Sequence, residues 1–274
     1  AIPLMASSIL QLLFNAADMV VVGQFAGNTA LAAVGANAAL INLLTNLFIG
    51  FSVGANVLVA QFYGAGREED MSRTVHSAIA LSLICGAALM VFGILAAPKL
   101  LALMGTPADV LGQAALYIRI YFAGMPVLLL YNFGSAILRA VGDTQRPLYF
   151  LLAAGMINVV LNLVFVIGFH LDVAGVALAT VASQAVSALL ILRCMTRMEG
   201  GCRVELRKLA LEKDKVLQIV RIGIPAGLQG TVFSLSNVLI QSSVNSFGSV
   251  AMAGNTAASN IEGFIYMAMN ACHQ

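Results

Sequence analysis

Apolar positions run along this chain in long unbroken blocks. From Met19 to Tyr63 there is no Asp, Glu, Lys or Arg, and Ile222 to Ile261 is equally bare. A membrane span needs roughly 20 apolar residues, so each block has room for one helix, a turn and most of another. A closed β-barrel is the other spanning architecture. Its strands alternate apolar and polar residues over about 10 positions, whereas these runs are longer and uniformly apolar. The pattern predicts an all-α polytopic membrane protein with eight helices, over residues 2–22, 30–62, 74–97, 110–140, 147–169, 173–196, 216–247 and 251–274. The breaks carry turn residues: Gly23 to Asn28, Gly64-Ala65-Gly66 followed by Arg67-Glu68-Glu69-Asp70, and Gly142-Asp143-Thr144 ahead of Pro147.

Polar residues enter these runs at helical spacing. Ser8, Gln11, Asn15 and Asp18 share one face of the first helix, and Asn158 and Asn162 share one of the fifth. Thr180, Ser183, Gln184 and Ser187 mark the sixth; Ser234, Asn237, Gln241 and Asn245 the seventh; Asn255, Ser259, Glu262 and Tyr266 the eighth. Any one such residue reads as interhelical hydrogen-bonding, worth about 0.6 kcal/mol. Taken together they predict a hydrated central cavity, with Gln11, Asn15, Gln184, Asn237, Gln241 and Glu262 on its wall. Asp18 stands out, because a charge at the centre of a span costs about 2.5–3.5 kcal/mol on insertion scales. It is the candidate proton or sodium site, and Glu262 follows the same logic. Pro3 and Pro126 are hinge candidates, Pro126 the stronger, since proline removes a backbone hydrogen bond.

Composition agrees: 60% of residues are hydrophobic and 9% charged, against about 25% charged in soluble domains. Twelve basic residues fall in or beside the loops after the second, fourth and sixth helices, and only Lys99 and Arg119 on the other side. The positive-inside rule then places the amino terminus in the cytoplasm, in a multi-pass inner-membrane protein. The longest polar stretch, Met198 to Lys215, reads as a cytoplasmic connector between two lobes, although a plain surface loop fits it as well and is the preferred reading. A weak repeat, Ala1-Ile2-Pro3 against Gly223-Ile224-Pro225 with Asn15 against Asn237, suggests parallel lobes. The expected division is 1–197, a six-helix lobe; 198–215, the connector; and 216–274, two helices of a second lobe. The chain opens at Ala1 inside an apolar stretch and stops at Gln274 without a polar tail, so it is expected to be part of a longer protein. Cys85, Cys194, Cys202 and Cys272 have no metal-site or CxxC spacing and read as free thiols.

Gly50-Phe51-Ser52-Val53-Gly54 matches the nucleophile-elbow pattern GxSxG. That motif requires a strand-to-helix turn, while this one lies in an apolar helix, where Gly50 and Gly54 form a GxxxG packing face. An enzyme is not expected, nor a resident metal, cofactor or nucleic-acid partner.

The run Ile137-Leu138-Arg139-Ala140-Val141-Gly142-Asp143-Thr144-Gln145-Arg146-Pro147 resembles a loop of the multidrug and toxic compound extrusion family. So do the segments Asn158 to Asn162 and Gly175 to Thr180 that follow it, as well as Asn15-Ala16-Ala17-Asp18 and Gly50 to Gly66. The resemblance implies twelve helices in two six-helix lobes and export of organic cations, drugs or other amphipathic compounds, driven by H+ or Na+. Its partners would be that substrate, the lipid bilayer and the remainder of the second lobe. It also maps an ion site onto Asp18, Tyr117, Asn132, Asn158, Asn162 and Thr180. Many members carry Asp where this chain has Asn162, and the seventh helix lacks an acid that some sodium-coupled members place there. The alternatives are a lipid-linked oligosaccharide flippase of the same superfamily, whose cavity should be basic, and an intramembrane serine hydrolase using Ser52.

Overall fold

The computed structural model describes the backbone of residues 2–273, and all side chains within it except those of residues 2–5, 8, 260 and 263–273. Over that range the regular structure is helical: α1 (Ile2–Val21), α2 (Gly27–Gly64), α3 (Glu68–Leu103), α4 (Ala108–Ala123), α5 (Met125–Ala140), α6 (Gln145–Asn162), α7 (Asp172–Arg197), α8 (Lys213–Asn245) and α9 (Ser249–His273). The all-α membrane architecture expected from the apolar blocks is the one observed. Short π-helical turns at Val22–Ala26 and Leu163–Gly168 close α1 and α6.

Where nine helices replace the expected eight, the fourth is broken. α4 and α5 meet at Gly124 and bend by 51°. Pro126 sits in the first turn of α5, where its missing N–H is tolerated. The bend is packed from both sides. A β-carbon on Gly86 of α3 would fall 2.4 Å from the Pro126 Cα, and one on Gly124 would fall 2.7 Å from Val181 of α7. The third helix departs from expectation in the other direction. It continues through Pro98 to Leu103 instead of stopping at residue 97, because Ala97 and Leu101 are fully buried and their packing outweighs one lost backbone hydrogen bond.

Named contacts fix the direction of each helix. Phe14 fills the space at Gly155, and Asp18 meets Asn162, so α1 and α6 run parallel. Arg146 at the start of α6 touches Cys194 near the end of α7. Asp70 in the first turn of α3 pairs with Lys215 in the first turn of α8. Met104, after α3, accepts hydrogen bonds from Ser242 and Asn245 at the end of α8. The starts of α1, α3, α6 and α8 and the ends of α2, α5 and α7 therefore gather at one end, which carries the basic loops. The chain thus reverses between α1 and α2, and the helical run Ile9–Gly64, 56 residues long, holds two crossings. Gly27, with φ +88°, makes that reversal in a conformation that residues with a β-carbon rarely adopt.

The most intimate helix pair is α2 with α8, running antiparallel. A β-carbon on Gly50 would fall 2.4 Å from the Gly227 Cα, and one on Gly54 would fall 2.2 Å from the Ile219 carbonyl oxygen. From the other side, a β-carbon on Gly223 would meet the Phe51 Cα, and one on Gly227 the Leu47 carbonyl, both at 2.7 Å. The GxxxG face expected of Gly50 and Gly54 is thus matched by a second, Gly223 and Gly227. Above it Asn46 donates to the Ser234 hydroxyl at 2.6 Å.

The polar segment after α7 is no free surface loop. Gly201 lies against Met71 and the Glu68 carbonyl, and Val204 N–H donates to the Met195 carbonyl. Glu205 N–H donates to Nε2 of buried His76 at 3.0 Å. That makes Nε2 an acceptor, so Nδ1 carries the ring proton and donates to the Ser72 carbonyl at 2.7 Å. Ser77 donates to the Ala210 carbonyl and accepts from Glu212 N–H. Arg73 pairs with Glu212 at 2.5 Å, and the bond holds that carboxyl below its ordinary value. Lys215, 6% exposed, pairs with Asp70 at 2.7 Å and lies over the Phe62 ring. Burial pushes the Cys202 thiol up to about 11.

Candidate functional site

The polar stripe of α1 meets that of α6 because the two helices run side by side and parallel, so residues four apart on each face stay in register. Asn162, fully buried, donates from Nδ2 to Asp18 Oδ1 and, at 3.3 Å, to Asn158 Oδ1. Its own Oδ1 is buried and has no hydrogen-bond partner among the described residues. The result is an acceptor-rich cluster with one half-buried carboxylate and amide oxygens of two asparagines. Hard cations are ligated by oxygens of this kind, and a proton on Asp18 would serve the same charge balance. Either ion could be held here by Asp18, Asn158 and Asn162.

Tyr117 lies within electrostatic reach of Asp18 and stacks on Tyr121, ring centroids 6.0 Å apart. Tyr121 also lies near Asp18. Tyr121 then lines a small neighbouring cavity with Gly124, Leu128, Thr180, Val181 and Gln184. Thr180 donates to the Val176 carbonyl of its own helix. Asn132 similarly donates to the Leu128 carbonyl at 2.9 Å, and no contact joins it to Asp18 among the described residues.

The expected cavity wall divides. Gln11, Asn15, Asn237 and Glu262 are exposed, and Gln184 is half-buried. Gln241 is buried and donates to Asn245, which in turn donates to the Met104 carbonyl; this pair ties α8 to the α3–α4 turn. Pro3 is in the first turn of α1. The side chains of Pro3, Ser8 and Tyr266 lie outside the described residues. Ser52 donates to the Ile49 carbonyl in the middle of α2, so the GxSxG pattern makes no nucleophile elbow here.

Three residues of this region had not been singled out from the sequence. Tyr121 is one helical turn beyond Tyr117, and the spacing of the two aromatics was the available signal. Asn37, fully buried, donates to the Ala114 carbonyl of α4 at 3.0 Å. Asn56 donates to the Ala136 carbonyl of α5 at 2.6 Å. Both bridge helices distant in sequence.

Among known proteins, the sequence is 31% identical to the probable multidrug resistance protein YoeA of Bacillus subtilis (strain 168), over 97% of this chain and 59% of that protein. It is 23% identical to the multidrug export protein MepA of Staphylococcus aureus, over 92% of this chain and 56% of that one. The chain thus spans under two thirds of the length of these relatives. The fold matches the inward-facing conformation of a multidrug resistance MATE family transporter of the MOP superfamily, with TM-score 0.84 and 26% identity over 94% of this chain and 61% of that one. It matches an outward-facing conformation with TM-score 0.79 and 24% identity, over 96% and 63%. The sequence profile of the MatE family covers residues 3–164, more than half of the chain, which is therefore a multi-pass membrane protein of the MatE family.

Proposed function

We propose that this chain forms the ion-binding lobe, residues 1–197, the connector, 198–215, and the opening two helices of a second lobe, 216–274, of a secondary antiporter. The protein would export organic cations, drugs or other amphipathic compounds in exchange for H+ or Na+. The observation that carries the reading is Asp18, an acid in a membrane-spanning helix engaged by Asn162, which is itself bonded to Asn158. An ionisable group so placed is a functional site by default. The multidrug relatives support the substrate class, and the basic end of the bundle supports an amino terminus on the cytoplasmic side of the inner membrane.

Alternating access requires that one end close while the other opens. The bonds from Ser242 and Asn245 to Met104 tie α8 to the first lobe at the end away from the basic loops, which favours a state closed on the outer side. Ion binding shifts the two states only if Asp18 binds the ion more tightly in one of them. In the full-length protein, Asp18→Asn is expected to abolish H+- or Na+-driven dye efflux while leaving the protein folded and in the membrane. Efflux at the wild-type level and with unchanged ion dependence would remove Asp18 from the mechanism.

A further inference from the structure

At the basic end, between the start of α6 and the end of α7, lies a cavity that the transport reading leaves unused. Its volume is about 480 Å³ and its walls are Arg146, Cys194, Arg197, Met198 and Glu199. Arg146 stands in the first turn of α6, and Arg193 and Arg197 in the last two turns of α7. Asp143 engages Arg146 at 3.2 Å, and Arg146 Nη1 reaches Cys194 Sγ at 3.7 Å. Arg193 and Arg197 form no ion pair among the described residues. Three guanidinium groups against the carboxylates of Asp143 and Glu199 leave the region net positive.

The surface that continues from the cavity indicates where its ligand comes from. Tyr149, Leu152, Met156 and Val160 make an exposed apolar stripe along α6, and Leu178 and Leu189 are exposed on α7. These faces meet acyl chains in a bilayer. At a rise of about 1.5 Å per residue, Arg146 sits about 4.5 Å beyond Tyr149 and Arg193 about 6 Å beyond Leu189. The arginines thus lie where the apolar faces end, at the depth of the headgroups, beside an interfacial tyrosine. Arginine forks match phosphate oxygens, and basic pockets between spanning helices suit anionic headgroups.

We propose that this groove is a site for the phosphate of an anionic phospholipid whose acyl chains lie along the outer faces of α6 and α7. The lipid is held from the leaflet at the basic end, so the site stands or falls apart from the Asp18 reading.

Cys194 reports on the site directly. In the full-length protein with Cys194 as its sole cysteine, maleimide labelling is expected to be slower in nanodiscs of phosphatidylglycerol than in those of phosphatidylcholine. Each arginine near an anionic surface changes binding roughly fivefold. Arg146→Gln with Arg197→Gln should therefore abolish the difference, Arg197→Lys should keep part of it, and Arg203→Gln with Arg207→Gln on the connector should leave it intact. Equal labelling in the two lipids would overturn the proposal. So would an equal effect from the connector variant, or protection by inorganic phosphate alone that matches the lipid's. A double variant that fails to fold is replaced by Arg197→Gln alone, read by the same label.

Discussion

At Asp18, Asn162 meets the carboxylate by donating a hydrogen bond from its side-chain amide. A hydrogen bond to a charged group contributes about 1.5–3 kcal/mol. Asn162→Ala is accordingly expected to lower the thermal stability of the purified protein, and to weaken the dependence of efflux on the driving ion because the carboxylate loses its orienting donor. Thermal unfolding in detergent and dye efflux at varied H+ and Na+ check the two parts separately. Spacings of three and four residues made the faces legible, Asp18 on one stripe and Asn158 with Asn162 on another, while only the family resemblance put the two stripes together. Tyr121 was not read, because an aromatic in an apolar helix carries little polar contrast and its four-residue spacing from Tyr117 was the one signal; the stacking of the two rings marks it in the structure.

Helix positions were legible because uninterrupted apolar length is a strong signal, whereas breaks were read less well. Gly124 and Pro126 lie in a run as apolar as its flanks, so one helix was expected over 110–140 where two meet at 51°; proline alone gave the hint. The third helix departs the other way: expected to end at residue 97, it runs through Pro98 to Leu103, where Leu101 is buried. The α2–α8 contact admits a sharp test. Gly50→Ala places a methyl against the Gly227 backbone, which no rotamer can relieve. Overpacking of this kind costs about 1–3 kcal/mol, and the loss should appear as a lower melting temperature. Gly64→Ala, where a β-carbon meets nothing within 4 Å, is the matched control and should change stability little.

Across the whole molecule, the packing of the segment 198–215 was not legible because its partners, His76, Ser77 and Met71, lie more than a hundred residues away in sequence. No local pattern announces such a strap. Its response to pH follows from Glu212. The carboxyl is held below its ordinary value of 4.5, chiefly by the Arg73 hydrogen bond. The stabilisation is therefore complete above pH 4.5 and is lost as pH falls through the lowered value. Amide hydrogen exchange over residues 205–212, corrected for intrinsic rate, is expected to be slow at neutral pH and to quicken well below pH 4.5; Arg73→Gln should show the faster exchange already at neutral pH. At the opposite end, a disulfide between Met104→Cys and Asn245→Cys is expected to stop efflux, and its reduction to restore it, if transport requires α8 to part from the α3–α4 turn.

The glycine contact between α2 and α8 also bears on how such parting could be rapid. Where helices meet through interlocked side chains, any sliding or tilting must lift knobs out of holes and turn rotamers. Here Gly50 and Gly54 face Gly223 and Gly227 backbone to backbone, with little to unlock. Such a surface is expected to act as a bearing: it sets the spacing of the two helices, and a change in their angle would turn about it once the Asn46–Ser234 hydrogen bond is released.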